Sequence, residues 1–257
     1  MAEFLVIEER SSLPQWLSHR IGTYLPIRCR DILLCSAEGK IETHHDITSV
    51  RGQKKAVTRL QEAEERGIVC AVIGNDDVRR EIGRALRYPL SDGSLLCASL
   101  RLEQVISEMD CARARIALGG ADSMIGRAVA TYLAKRVRFL SLVGRSETAL
   151  HRLAKCLWKT EGIAVTVGAR SDDRVITLDE LTAEADCHAE GQYISSAVAE
   201  CAILASRSPR ERDHLVTART LVQTAELARA SGISILPKNS ASAGQIRLTN
   251  APSENII

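Results

Sequence analysis

The sequence predicts an α/β protein built on a doubly wound, mostly parallel sheet, preceded by a smaller N-terminal α/β lobe. Three observations carry that expectation. Short apolar runs at 68–74, 116–118 and 139–143 alternate with stretches of helical spacing, the pattern of parallel strands joined by helices. Glycines stand where strand hands over to helix, at Gly119, Gly120 and Gly144. The 257 residues are 45% apolar and 26% charged with a net charge of +2, enough for a sizeable core under an ordinary soluble surface.

In chain order, residues 4–7 read as a strand and 13–25 as a helix with Trp16, Leu17 and Ile21 on one face, ending before Pro26. Residues 32–35 form a second strand. His44, His45 and Asp46 follow in a polar loop, and with no partner ligand nearby they read as solvated rather than metal-binding. A charged helix over 51–67 precedes a buried strand at 68–74. Asp76 or Asp77 caps a helix that turns Val78, Ile82 and Leu86 inward and stops at Pro89. Ser91-Asp92-Gly93-Ser94 opens a helix from Leu95 to about Met109. Residues 1–92 are thus expected as one lobe, 93–236 as a second domain with C-terminal helices, and 237–257 as a polar tail.

In the second domain the run 116–118 ends at Gly119-Gly120, and Gly126, six residues beyond Gly120, opens a helix carrying Ala128, Val129, Tyr132 and Leu133. The next run, 139–143, ends at Gly144-Arg145-Ser146. Strand, glycine turn, helix and strand form the half-unit that binds a dinucleotide, because a pyrophosphate needs unobstructed backbone and free helix N-terminal N–H groups. Gly120, Ala121, Asp122, Ser123, Met124, Ile125 and Gly126 fill that Rossmann-like turn, with Ser123 in place of its middle glycine. Where a carboxylate would read a free ribose 2′-hydroxyl, the chain has Arg145 and Ser146, and no acid before Glu147. An Arg fork pairs with phosphate, so the sequence favours NADP over NAD. The other reading makes Arg145 a surface residue and Ser146 a helix cap. A helix over 147–160 ended by Gly162, a strand at 163–167 and a turn at 172–174 come next. A Thr-x-x-Glu capping box from Thr177 to Glu180 then heads a short helix. A mostly apolar helix is expected over 192–205, the longest helix over 211–231, and a last strand at 233–236.

Three stretches carry a resemblance. The turn 120–126 is similar to Gly-Ala-Thr-Gly-x-Ile-Gly, and Ser91 to Leu95 is similar to Thr-Gly-Asn-x-Leu. Ile194-Ser195-Ser196-Ala197-Val198-Ala199-Glu200, leading into Cys201, resembles Ile-Ser-x-Cys-Met-Ala-Glu. Residues 220–232 also fit the late helix of the same family. Over 68–236 the chain therefore resembles the long-chain acyl-[acyl-carrier-protein] reductases and their dinucleotide-binding relatives, which reduce a fatty acyl thioester to an aldehyde with NADPH. The resemblance implies an NADP-dependent oxidoreductase acting on a carbonyl or acyl thioester, with a small-molecule or acyl-carrier substrate. The family's nucleophilic cysteine falls on Ala197, which cannot accept an acyl group. Cys201, one helical turn later, is the substitute candidate, and Glu200 the candidate acid or base. A packed thiol and a structural carboxylate, paired with Arg207 or another cation, are the opposing readings. The link at 187–191 is short, which abbreviates the second half of the domain. A non-catalytic NADP(H)- or partner-binding protein that lost the nucleophile is therefore the second reading. A dehydrogenase with no covalent step, using Glu200, His188 or Lys135, is the third.

Basic residues are interleaved with acids and aromatics are only 3%, which argues against nucleic acid. No eighteen-residue apolar run suggests a membrane span, and the N-terminus does not read as a signal peptide. Eight scattered cysteines without a CxxC pair suggest small buried hydrophobes in a reducing cytoplasm and no metal site. The apolar stretch 197–204 equally suits a dimer interface, so homo-oligomerisation is left open.

Overall fold

The computed structural model describes residues 2–9, 26–111, 113–168, 174–189, 191–207, 216–236 and 249–250. The helix expected over 13–25 lies outside them, as does all of the C-terminal tail except 249–250. The described chain is mixed α/β with parallel sheets, and it divides into two compact units.

The first unit contains β1 (Ala2–Glu9), β2 (Arg28–Leu34), β3 (Ala37–His44), α1 (Val50–Glu65), β4 (Val69–Ile73) and α2 (Asp76–Arg84). Its four strands are ordered β2-β3-β1-β4, with β1 parallel to both β3 and β4 and β2 antiparallel on the edge. Successive residues Phe4, Leu5, Val6 and Ile7 of β1 are all buried, as a strand covered on both faces requires. Leu5, Ile7, Cys70 and Val72 form one core with Ala56 and Leu60 of α1 and Val78 and Ile82 of α2. Ser49 caps α1 by accepting from Gly52 N at 3.0 Å. Asn75, not Asp76 or Asp77, caps α2, accepting from Asp77 N at 2.8 Å.

Chain order brings a late segment back into this unit. Its two strands, Asp186–Ala189 and Gln192–Ser195, pair antiparallel, and the helix Ser196–Ser206 packs on β1, β3 and β4. The sequence placed this segment in the second domain and began its helix at Gln192. Gln192–Ser195 is instead a strand, and Ser195 caps the helix through Val198 N. Nine of that helix's eleven residues are buried, which accounts for the uniform apolarity.

The second unit runs from Ser94 to Ala185 and takes in most of a late helix, Ala218–Ala230. Its elements up to Ala185 are α3 (Ser94–Ser107), β5 (Arg115–Gly119), α4 (Met124–Ala134), β6 (Phe139–Val143), α5 (Glu147–Glu161), β7 (Val165–Val167), β8 (Arg174–Thr177) and α6 (Leu178–Thr182). With these ranges given, the late strands Asp186–Ala189 and Gln192–Ser195 become β9 and β10, and the late helices Ser196–Ser206 and Ala218–Ala230 become α7 and α8. The strands run parallel in the order β7-β6-β5-β8, with the two-residue β12 (Thr249–Asn250) antiparallel to β8. A two-residue strand, β11 (Ser234–Ile235), joins β9 and β10 in a separate sheet ordered β10-β9-β11. The capping box expected at Thr177 and Glu180 heads α6, and Gly162 ends α5 with φ +69°. Six residues, 168–173, separate β7 from β8, fewer than a helical crossover occupies. Within the same unit α3 packs on α6, where the Arg101 guanidinium donates to the carbonyls of Glu180, Leu181 and Ala183.

Candidate functional site

The order of the second sheet reverses at β5, which has β6 on one side and β8 on the other. Open α/β sheets bind ligands outside the carboxyl ends of the strands at such a point. Gly119 is in register with Val143 of β6 and Thr177 of β8, so three turns leave the sheet together. Ala121 N donates to Val143 O at 3.1 Å and ties the first turn to the second. Gly120 has φ +77°, a conformation that side chains resist, and a Cβ there would stand 2.9 Å from Leu178 Cβ. A Cβ at Gly126 would overlap the carbonyl oxygen of Gly120. These two glycines let the head of α4 close onto the strand end.

Ser123, in the middle-glycine position, caps α4: its hydroxyl accepts from Gly126 N at 3.0 Å and donates to Gly120 O at 3.0 Å. Met124 and Ile125 form the first turn of α4, so their amides stand at the positive end of its dipole, and Met124 is an exposed large apolar side chain. At the second turn Gly144, Arg145 and Ser146 are all exposed. Ser146 caps α5 through Ala149 N at 3.4 Å, as the opposing sequence reading had it. The backbone amides of Arg145 and Ser146 both donate to Asp122 Oδ2, each at 3.1 Å. This Asp122 bridge between the two turns has no signature in the sequence, where Asp122 reads only as part of the glycine turn.

The candidate catalytic residues belong to the first unit, on α7, and the glycine turn belongs to the second. Cys201 is fully buried, and burial, with Glu200 and Cys70 nearby, pushes its thiol well above the ordinary range. A nucleophilic cysteine needs the opposite environment, so Cys201 is a packed residue here, and Ala197, the position on which the resemblance puts a nucleophile, is buried as well. Alkylation of the native protein with iodoacetamide, read by peptide mass spectrometry, should label the exposed Cys29 and Cys156 and spare Cys201. Labelling of Cys201 first would return it to the list of nucleophiles.

Glu200 is 3% exposed and accepts from Ser91 Oγ at 2.5 Å. Ser91 in turn donates its amide to Cys70 O at 2.9 Å, alongside β4. Gly93 lies directly against the Ser196 hydroxyl at the head of α7. Two of the segments that carried the resemblance thus meet within one unit, and Glu200 serves as a bolt between them. Of the other proton donors considered, Lys135 forms an ion pair with Glu161 at 3.4 Å at the C-terminal end of α4, the end opposite the glycine turn. His188 lies edge-on to Tyr193 across the β9–β10 hairpin.

A second polar cluster went unread in the sequence. The loop expected around His44 is the end of β3, and His44, Asp46 and Glu42 are all buried. Glu42 accepts from Arg59 Nε of α1 at 2.9 Å, with His44 Nε2 at 3.6 Å. His44 and Arg59 hold the Glu42 carboxyl below its usual range. The stability this adds is present above the unfolded carboxylate value of 4.5 and is lost as pH falls through the lower folded value. Acid unfolding followed by circular dichroism should therefore begin at higher pH in wild type than in Glu42→Gln, relative to each protein's own neutral-pH stability. Among the described residues no group of three or more His, Cys, Asp or Glu is placed to hold a metal ion, and no helix is long and apolar enough to cross a membrane.

Compared with known proteins, the chain matches no family model, no curated protein and no solved structure.

Proposed function

We propose that the chain binds a nicotinamide dinucleotide at the turn between β5 and α4, in a Rossmann-like second unit, and that it works without a covalent acyl intermediate. One observation carries the reading. Gly120 and Gly126 bring the capped head of α4 against the carboxyl end of β5, where the strand order reverses. The helix dipole and the backbone amides of Met124 and Ile125 at the head of α4, held close to the strand end by Gly120 and Gly126, suit a pyrophosphate. The absence of a nucleophile at Ala197 and the burial of Cys201 favour a protein that kept the cofactor half and either transfers hydride directly to a carbonyl or acts through binding alone. Thioester reduction through an acyl-enzyme is the less favoured course.

Titration of the purified protein with NADH and with NADPH, followed by nucleotide fluorescence, tests the reading. Saturable binding of at least one nucleotide is expected, with loss in Gly120→Val, whose β-branched side chain suits neither the positive φ nor the neighbouring Leu178. Unaltered binding in a folded Gly120→Val protein would move the site elsewhere. Turnover of an aldehyde with bound reduced nucleotide would favour the oxidoreductase form, and binding without turnover the non-catalytic one.

A further inference from the structure

We propose that Asp122 makes the dinucleotide turn select an unphosphorylated ribose, reversing the NADP preference that Arg145 suggests from sequence. The inference rests on the dinucleotide reading above and concerns the same turn. A 2′-phosphate bound at the end of β6 takes its hydrogen bonds from the backbone at the head of the next helix as well as from an Arg side chain. Here those backbone donors are engaged: the amides of Arg145 and Ser146 both point at Asp122 Oδ2. The other carboxylate oxygen faces Gly144, where any Cβ would overlap it, so the whole carboxylate is pressed against the β6–α5 turn. Asp122 therefore does two things to an incoming 2′-phosphate. It occupies the donors the phosphate would use, and it sets a negative charge beside it.

A ribose 2′-hydroxyl meets a different environment. It is a neutral group that donates a hydrogen bond to a carboxylate, the role that an acid at the end of the second strand fills in NAD-selective turns. This chain has no acid at the end of β6 itself, and Asp122 brings one from the neighbouring turn. Arg145 holds its place through its backbone, and its side chain is exposed.

The test compares NADH and NADPH affinities for wild type, Asp122→Asn and Asp122→Ser, with melting temperatures measured alongside. Asn keeps an oxygen to accept from the two amides while removing the charge, and Ser removes most of the carboxylate's bulk. Wild type should bind NADH more tightly than NADPH. Asp122→Asn should gain NADPH affinity by roughly tenfold, the effect of relieving one close like-charge contact near the surface, and should lose NADH affinity, because its amide is a weaker acceptor for the ribose hydroxyl than the carboxylate. The wild-type preference is read without any variant, so it stands even if a variant is unstable. NADPH preferred by wild type and unaffected in Asp122→Asn overturns the proposal while leaving dinucleotide binding intact. No binding of either nucleotide overturns both.

Discussion

Gly126→Ala is expected to lower stability by about 1–3 kcal/mol, the cost of overpacking a closed site, and to abolish nucleotide binding. The added methyl has nowhere to go, because it would overlap the Gly120 carbonyl oxygen and approach Ala121 Cα at 2.9 Å. Both neighbours are backbone, and Gly120 is held by its own positive φ and by Leu178. The helix head must therefore swing away from the end of β5, and the Ser123 hydroxyl loses its alignment with the 126 amide. Urea unfolding gives the first quantity and nucleotide fluorescence the second. A variant as stable as wild type would mean that the turn does not close in solution as it does here.

Glu200→Ala is the other large effect. Removing the carboxylate takes away the acceptor of the Ser91 hydroxyl at a site where both side chains are buried. A hydrogen bond to a charged group contributes about 1.5–3 kcal/mol, and the space left in a packed helix–sheet contact adds to the loss. Glu200→Gln keeps the shape and an oxygen for Ser91, so its loss should be the smaller of the two. The order Ala worse than Gln worse than wild type, measured by thermal melting, marks a structural bolt. A general acid or base with no packing role would give two variants that melt like wild type and differ only in activity.

The fold was legible wherever local pattern and tertiary demand agreed. The runs around β4, β5 and β6 are short and apolar, the caps Ser146 and Thr177 precede clear helical spacing, and Gly162 follows its helix. What escaped had no local signature. The β2–β3 hairpin turns through Cys35 and Ser36, both at positive φ, where Asn or Gly would have announced a tight turn. Without that turn β3 went unseen, and His44 read as a loop residue when it ends a buried strand. The return of 186 onward to the first unit depends on which sheet the apolar α7 covers, a fact of packing that periodicity does not carry.

The candidate site divided the same way. The glycine turn could be read from spacing alone, since Gly120 and Gly126 serve the backbone around them. Cys201 and Glu200 could not be weighed without burial, and burial makes one a packed thiol and the other a hydrogen-bond acceptor of Ser91. Asp122 is the clearest loss. It lies 23 residues from Arg145, and only the parallel pairing of β5 with β6 brings their turns together.

The most direct measurement is a nuclear magnetic resonance titration of ¹⁵N-labelled protein with NADH, following the backbone amides one by one. Dinucleotide binding at the head of α4 predicts that the amides of Ala121, Ser123, Met124 and Ile125 shift progressively and saturate together. Shifts confined to other residues, or none at up to millimolar nucleotide, would contradict the account.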